Sequence, residues 1–280
     1  VTATHRKERR SIPFVRFAGI SLGGGKGRRT CLAVLDYYPK EKKVFLSELI
    51  QGIEEEKRIS ADTHLIRKLE SFEKNLKLTA LDGPLKLPKC MRCELVCPGH
   101  EKCTESEIRW MWKRYKKRDP KKRPNRIFTP YTERCVEQYI LSEVHQDLAT
   151  DHALGANRAP IAARAMYLQR RLGEENLIEV SPKLSLWRLG AEVGLRKNHI
   201  LAYRQQTKGE DVRQRFLDAW SEQDRTFFYH RDFKLMVKEA FAFDAFLAAY
   251  TAFLKHQDLC EEPPKGFPKN EAWIAFPKKT

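Results

Sequence analysis

Apolar and polar positions divide the first 82 residues into short segments. Residues 14–22 alternate and are rich in apolar side chains, and 30–38 and 43–50 repeat the pattern. The intervening 23–27 and 39–42 carry glycine, proline and charged turn residues. Three strands joined by turns this short predict an antiparallel meander. Ser60-Ala-Asp-Thr63 then offers a helix cap, and Leu65, Ile66, Leu69 and Phe72 share one stripe, which predicts a helix to Asn75. Residues 76–82 return as a fourth strand, stopped by Gly83-Pro84.

Further along, the pattern predicts helices over 132–144 and 157–172, the second with Pro160 in its first turn. A fifth strand over 176–181 ends at Pro182. Amphipathic helices follow over 183–193 and 211–220, then an apolar helix over 243–255 that contains one acid, Asp244, and a short edge strand within 272–277. A meander followed by parallel strands reached through helices predicts a mixed five-stranded α/β sheet with right-handed crossovers. Its expected order is 3-2-1-4-5. The first and fourth strands then lie side by side with their carboxyl ends together, Ser21 ending one and Asp82 the other.

Composition narrows the class. A chain of 280 residues with 41% hydrophobic side chains is long enough to bury a core and is not a disordered tail. We read a basic arm over 1–13 and one domain over 14–277. No apolar run approaches the roughly 18 residues of a membrane span, which argues against a membrane protein. The first ten residues lack the apolar stretch of a signal peptide, so a cytoplasmic location is expected. No repeat of solenoid period is present.

Charge adds a partner. Lys and Arg number 53 against 37 Asp and Glu, a formal net charge of +16. The densest block, 113–126, holds nine basic residues and one acid, among them Lys113, Arg114, Lys116, Lys117, Arg118, Lys121, Lys122 and Arg123. Neutralising phosphates with release of counterions is the natural use of such a run, so nucleic acid is the expected partner. Trp110, Trp112 and Tyr115 lie just before it. They suit either stacking on unpaired bases or anchoring a helix to the core.

Four of the seven cysteines, Cys90, Cys93, Cys97 and Cys103, fall within 14 residues. Four thiolates at such spacing suit a structural zinc ion, with His100 as a possible substitute ligand, while Cys-x2-Cys-x3-Cys also suits an iron–sulfur cluster. We expect this Cys-rich and basic stretch, 88–126, to form an insertion after strand four. Cys31, Cys135 and Cys260 are isolated and read as buried apolar residues. The glycine-rich Ser21-Leu-Gly-Gly-Gly-Lys-Gly27 could cradle phosphate through Lys26, as a phosphotransferase would. It does not satisfy a Walker pattern, and it fits a hairpin tip equally well.

Several motifs in order carry a resemblance: Gly19-Ile-Ser-Leu-Gly23, Ala80-Leu-Asp-Gly-Pro-Leu85, Thr129-Pro-Tyr-Thr-Glu-Arg-Cys135, Ala153-Leu-Gly-Ala-Asn-Arg-Ala-Pro160, Ile178-Glu-Val-Ser-Pro182, Asp244-Ala-Phe-Leu-Ala-Ala-Tyr-Thr-Ala252 and Glu271-Ala-Trp-Ile-Ala-Phe-Pro277. Together they resemble the predicted-nuclease family of domain-of-unknown-function proteins (number 429) with an RNase H-like fold. The resemblance spans residues 14–277. It implies a hydrolase that cuts phosphodiesters with Mg²⁺ or Mn²⁺, with acids at the end of strand one and at Asp82, Glu179 and Asp244. Here the first position is Ser21, a weak and uncharged ligand. Carboxylates drawn together repel unless a cation joins them, and two Mg²⁺ ions in such a site activate water and stabilise the leaving oxygen.

The same acids have structural alternatives: a turn for Asp82, a helix cap for Asp244, an arginine partner for Glu179. Glu133, Arg134 and Glu137 are secondary candidates, expected to be solvated or ion-paired. The leading expectation is a nuclease. The alternative is a catalytically weak or inactive nucleic-acid-binding protein on the same fold.

Overall fold

A computed structural model of the chain describes residues 13–24, 28–117, 127–145, 148, 153–155 and 158–279. The meander forms as its alternation predicts: β1 (Val15–Ser21), β2 (Cys31–Tyr38) and β3 (Lys43–Ile50) pair antiparallel in sequence. After helix α1 (Ala61–Glu70), β4 (Leu76–Asp82) pairs parallel with β1. Among the described residues three α-helices follow, α2 (Ser106–Lys117), α3 (Cys135–Tyr139) and α4 (Ala159–Leu172), before β5 (Leu177–Val180) joins β4. Then come α5 (Pro182–Glu192), α6 (Lys197–Ala202), α7 (Gly209–Glu222), α8 (His230–Lys238) and α9 (Ala240–His256). The last strand, β6 (Ile274–Ala275), runs parallel to β5.

The sheet is therefore mixed and six-stranded, with order 3-2-1-4-5-6. The predicted order holds, extended by the short edge strand within 272–277. Local chemistry explains where the boundaries move. Helix α1 starts at its expected cap, Ser60, whose hydroxyl accepts from the Thr63 amide, but it ends at Glu70. Asn75, at φ 66°, turns the chain straight into β4. The helix expected over 132–144 begins at Cys135, because the Thr129, Thr132 and Glu133 side chains bond one another in a turn that holds 129–133 outside it. Its second half, Ile140–Val144, widens into a π turn. Helices α6 and α8 were not anticipated: α6 is only six residues long, whereas α8 is amphipathic and its pattern went unread.

Alternation along β1 sorts the two faces. Ala18, Ile20 and Leu22 join Leu65, Ile66, Ala165 and Leu168 under α1 and α4. Phe17 faces the other layer, built on α9. Gly19 shares the Phe17 face, and a Cβ there would lie 2.1 Å from the Ala249 nitrogen and 2.3 Å from the Ala245 oxygen. The absent side chain thus lets α9 lie directly on the sheet. The Phe17 and Phe253 rings meet at 5.8 Å. So α9 runs antiparallel to β1, and its amino-terminal turns, including Asp244, reach the carboxyl end of that strand.

Arg164 of α4 ties the other layer together. It donates to both oxygens of Asp62, to Thr30 Oγ1 at 3.1 Å and to the Gly24 carbonyl at 2.6 Å. The glycine-rich loop joins two antiparallel strands as a hairpin; Lys26 lies outside the described residues. Among the described residues no helix is long and apolar enough to cross a membrane.

Candidate functional site

Ser21 and Asp82 are paired residues of β1 and β4. Neighbours in register project to the same face, here the α9 face shared with Phe17 and Gly19. Asp244 arrives on that face from α9. It is no helix cap, since Glu239 occupies that position. The sequence thus places three of its expected positions together. Ser21 is 0% exposed and its hydroxyl has no hydrogen-bond partner, while Asp244 is 1% exposed.

The residues that join the carboxylates come from the segment after α6. Arg204 Nη2 lies 2.8 Å from Asp244 Oδ2 and 3.2 Å from Asp82 Oδ2, so one guanidinium bridges both acids. Arg204 Nε donates to Asp244 Oδ2 at 2.9 Å, and the Tyr203 hydroxyl donates to Asp244 Oδ1 at 2.9 Å. Arg158 approaches Asp82 Oδ1 at 3.5 Å. Arg213 holds this segment in place. It donates to the Tyr203 carbonyl and, at 2.8 Å, to the Val237 carbonyl. Tyr203, Arg204 and Arg158 were not anticipated. The available signal was an ionisable group inside an apolar helix, which requires a counter-charge without indicating where it lies in the chain.

Burial raises Asp244's pKa from 3.8 to about 6, the neighbouring Asp82 adding to the shift and Arg204 opposing it. The folded chain therefore retains a proton between these values that the unfolded chain has released. Asp244's contribution to stability is fully present below the unfolded value and falls as pH rises through the folded one. The loss should amount to about 2–3 kcal/mol between about pH 4 and pH 7. Urea unfolding of wild type and Asp244→Asn across that range checks this: the variant should lack this component of the slope.

Glu179 does not join the acidic edge. It pairs in register with Leu81, one residue short of Asp82, and alternation sends it toward the face of Leu81 and Leu177. There it accepts from Arg134 at 2.6 and 2.8 Å and from the Leu85 amide at 2.9 Å. Its carboxylate is thus held by an arginine, the structural alternative read for it in the sequence. Glu137 shares Arg134, and its Oε1 also accepts from the Ala153 amide. Glu133, Arg134 and Glu137 are ion-paired or hydrogen-bonded as expected, but all three are buried rather than solvated. Two carboxylates raise the Arg134 pKa against the opposing effect of complete burial.

The donor set does not fit a two-metal centre. Asp82 and Asp244 face two guanidinium groups, and their oxygens already accept from Arg204 and Tyr203. Among the described residues, no three His, Cys, Asp or Glu side chains converge as ligands for an ion. That statement covers Cys90, Cys93, Cys97 and Cys103 as well. Cys97 is exposed and the other three are partly buried, with Cys90 and Cys103 against Ile108, Met111, Phe128 and Cys135. Burial and the nearby Cys103, Cys97 and Cys93 push the Cys90 thiol up to about 11. Cys31, Cys135 and Cys260 are buried, as read from their isolation.

The basic run begins on α2. Lys113, Lys116 and Lys117 are exposed there. Arg114 instead pairs with Glu143 and stacks on Trp110 and Tyr139 at 4.8 and 5.0 Å. Arg118, Lys121, Lys122 and Arg123 lie outside the described residues, as does the arm through residue 12. The two indoles anchor the helix. Trp110 packs edge-on against Phe267, while Trp112 stacks on His100 and donates to its carbonyl at 2.9 Å. Arg109, Lys113 and Lys116 line a groove of about 550 Å³ with Trp112 and Lys102, faced by one acid, Glu101. Their i, i+4, i+7 spacing places the three cations on one helical face.

The fold and site define a mixed α/β protein with an arginine-bridged acidic edge on its sheet and a basic helical groove beside its cysteine-rich stretch. The chain belongs to the DUF429 family, described as a protein of unknown function, whose profile matches residues 27–268. No curated protein and no solved structure gave a significant match.

Proposed function

We propose that this chain is a nucleic-acid-binding protein with an RNase H-like sheet, and that the α2 groove receives the phosphate backbone. The observation carrying the reading is the cluster of Lys102, Arg109, Lys113 and Lys116 against Glu101, the one acid lining the groove among the described residues, on a chain of net charge +16. A polyanion gains counterion-release free energy from such a surface, and the indole edge offers a neighbouring apolar contact. The 3-2-1-4-5 portion of the sheet and the meeting of Ser21, Asp82 and Asp244 support the RNase H-like description.

Fluorescence anisotropy with labelled single- and double-stranded DNA and RNA tests the proposal. Replacing Arg109, Lys113 and Lys116 together by glutamine should weaken binding and reduce the slope of log K against log salt by about 2–3, roughly 0.7–0.9 per lost phosphate contact. Unchanged affinity and slope would remove this groove from the interface.

Metal-dependent phosphodiester hydrolysis is the weaker second reading: Asp82 and Asp244 converge at the carboxyl ends of the strands, but an ion would have to displace Arg204 from between them. It requires Mg²⁺- or Mn²⁺-dependent cleavage that disappears in Asp82→Asn. Cleavage that persists in that variant belongs to a contaminant.

A further inference from the structure

We infer that Arg204 is the built-in cation of the acidic edge: its guanidinium stands where a divalent ion would join Asp82 and Asp244, and removing it creates a site for one such ion. The inference goes beyond the nucleic-acid reading and runs against metal-dependent hydrolysis at that edge. It does not depend on the α2 groove.

Arg204 reaches both acids through one nitrogen, at 2.8 and 3.2 Å. A group bound to two carboxylates on separate elements, α9 and β4, fills the bridging position that a metal takes in a carboxylate site. Its side chain is 37% exposed, whereas those of Asp82 and Asp244 are 9% and 1% exposed. The cation therefore closes the edge from the solvent side, over acids held inside.

Charge balance points the same way. Asp82 and Asp244 contribute two negative charges, and Arg204 and Arg158 contribute two positive charges. A divalent ion approaching this set meets no net attraction and must displace the bridging guanidinium. Arg213 interacts electrostatically with Asp244, adding to the positive surroundings. Glu239 and Glu210 act on Arg213 in the same sense as Asp244, each favouring its charged form against the cost of burial.

Ser21 supplies the independent observation. Its hydroxyl is fully buried, has no partner, and lies on the shared face beside Asp82. Polar atoms so placed are normally satisfied, and this one belongs to the register partner of Asp82. With Arg204 removed, two carboxylates and a hydroxyl would be available to an oxygen-seeking cation that retains its remaining waters.

Mn²⁺ binding by electron paramagnetic resonance, together with thermal melting, tests this on the full chain. Wild type should show no Asp82-dependent Mn²⁺ site, and its melting temperature should not respond to the ion. Arg204→Gln should gain one Mn²⁺ site at least roughly thirtyfold tighter than any detectable in wild type, the scale expected even in water on removing a positive charge about 4 Å from a divalent ion. The variant should melt lower without Mn²⁺ and regain stability with it. Adding Asp82→Asn should abolish both effects.

Wild type that binds Mn²⁺ through Asp82 overturns the inference, because Arg204 would then be displaceable. A folded Arg204→Gln chain that binds none overturns it equally, as does a chain that stays unfolded at saturating Mn²⁺. Polynucleotide affinity of the α2 variants is measured separately, so failure at one site leaves the other reading intact.

Discussion

Gly19→Ala should destabilise the chain by at least about 3 kcal/mol, at the upper end of what overpacking a core costs. The new methyl would meet main-chain atoms, with the Ala249 nitrogen 2.1 Å away and the Ala245 oxygen 2.3 Å away. No rotamer change relieves contact with a backbone. Helix α9 must move off β1, and with it the surface that covers β2 and β4. The same shift would draw Asp244 away from Asp82 and Arg204. For a chain of this length the melting temperature should fall by roughly 6–12 °C. A decrease under about 2 °C, within about 1 kcal/mol, would mean that strand and helix are not so closely apposed.

Arg134→Met should cost about 3–5 kcal/mol, the usual consequence of stranding a buried charge. Arg134 donates to Glu137 at 2.8 and 2.9 Å, to Glu179 at 2.6 and 2.8 Å and to the Lys86 carbonyl at 3.2 Å. Methionine fills similar volume but leaves two buried carboxylates facing each other without a cation. Adding Glu179→Gln should recover part of the loss by removing one of those charges. Denaturant unfolding of both variants separates the cases. If the single variant loses less than about 1 kcal/mol, water enters this cluster and the network is not closed.

What could be read beforehand follows from the range over which each signal acts. The meeting of Ser21 with Asp82 was legible because strand patterns are local, and parallel pairing of strands one and four fixes which ends coincide. The departure of Glu179 was not. It depends on β5 pairing Glu179 with Leu81 instead of Asp82, and a shift of one residue reverses the face a side chain takes. Arg204 was missed for a related reason. It follows a short helix in a segment without periodicity, and its partners lie 40 and 122 positions away. The aromatic residues before the basic run had two readings, and those of α2 resolve toward packing: Trp110 and Trp112 hold the helix against Phe267 and His100.

The order of elements also bears on how the chain is made. The strands against which α9 mainly packs, β1, β2 and β4, are complete at residue 82, but the helix itself ends at residue 256. Translation at about 5–20 residues per second separates these points by roughly 10–35 s. Throughout that interval the Phe17 face of the meander has no native layer to cover it, and its parallel edge still awaits β5 and β6. A ribosome-bound intermediate with an exposed apolar sheet is thus built into the topology. Arrested chains that stop before residue 240 should therefore be more aggregation-prone than the full chain, which sedimentation of the two checks.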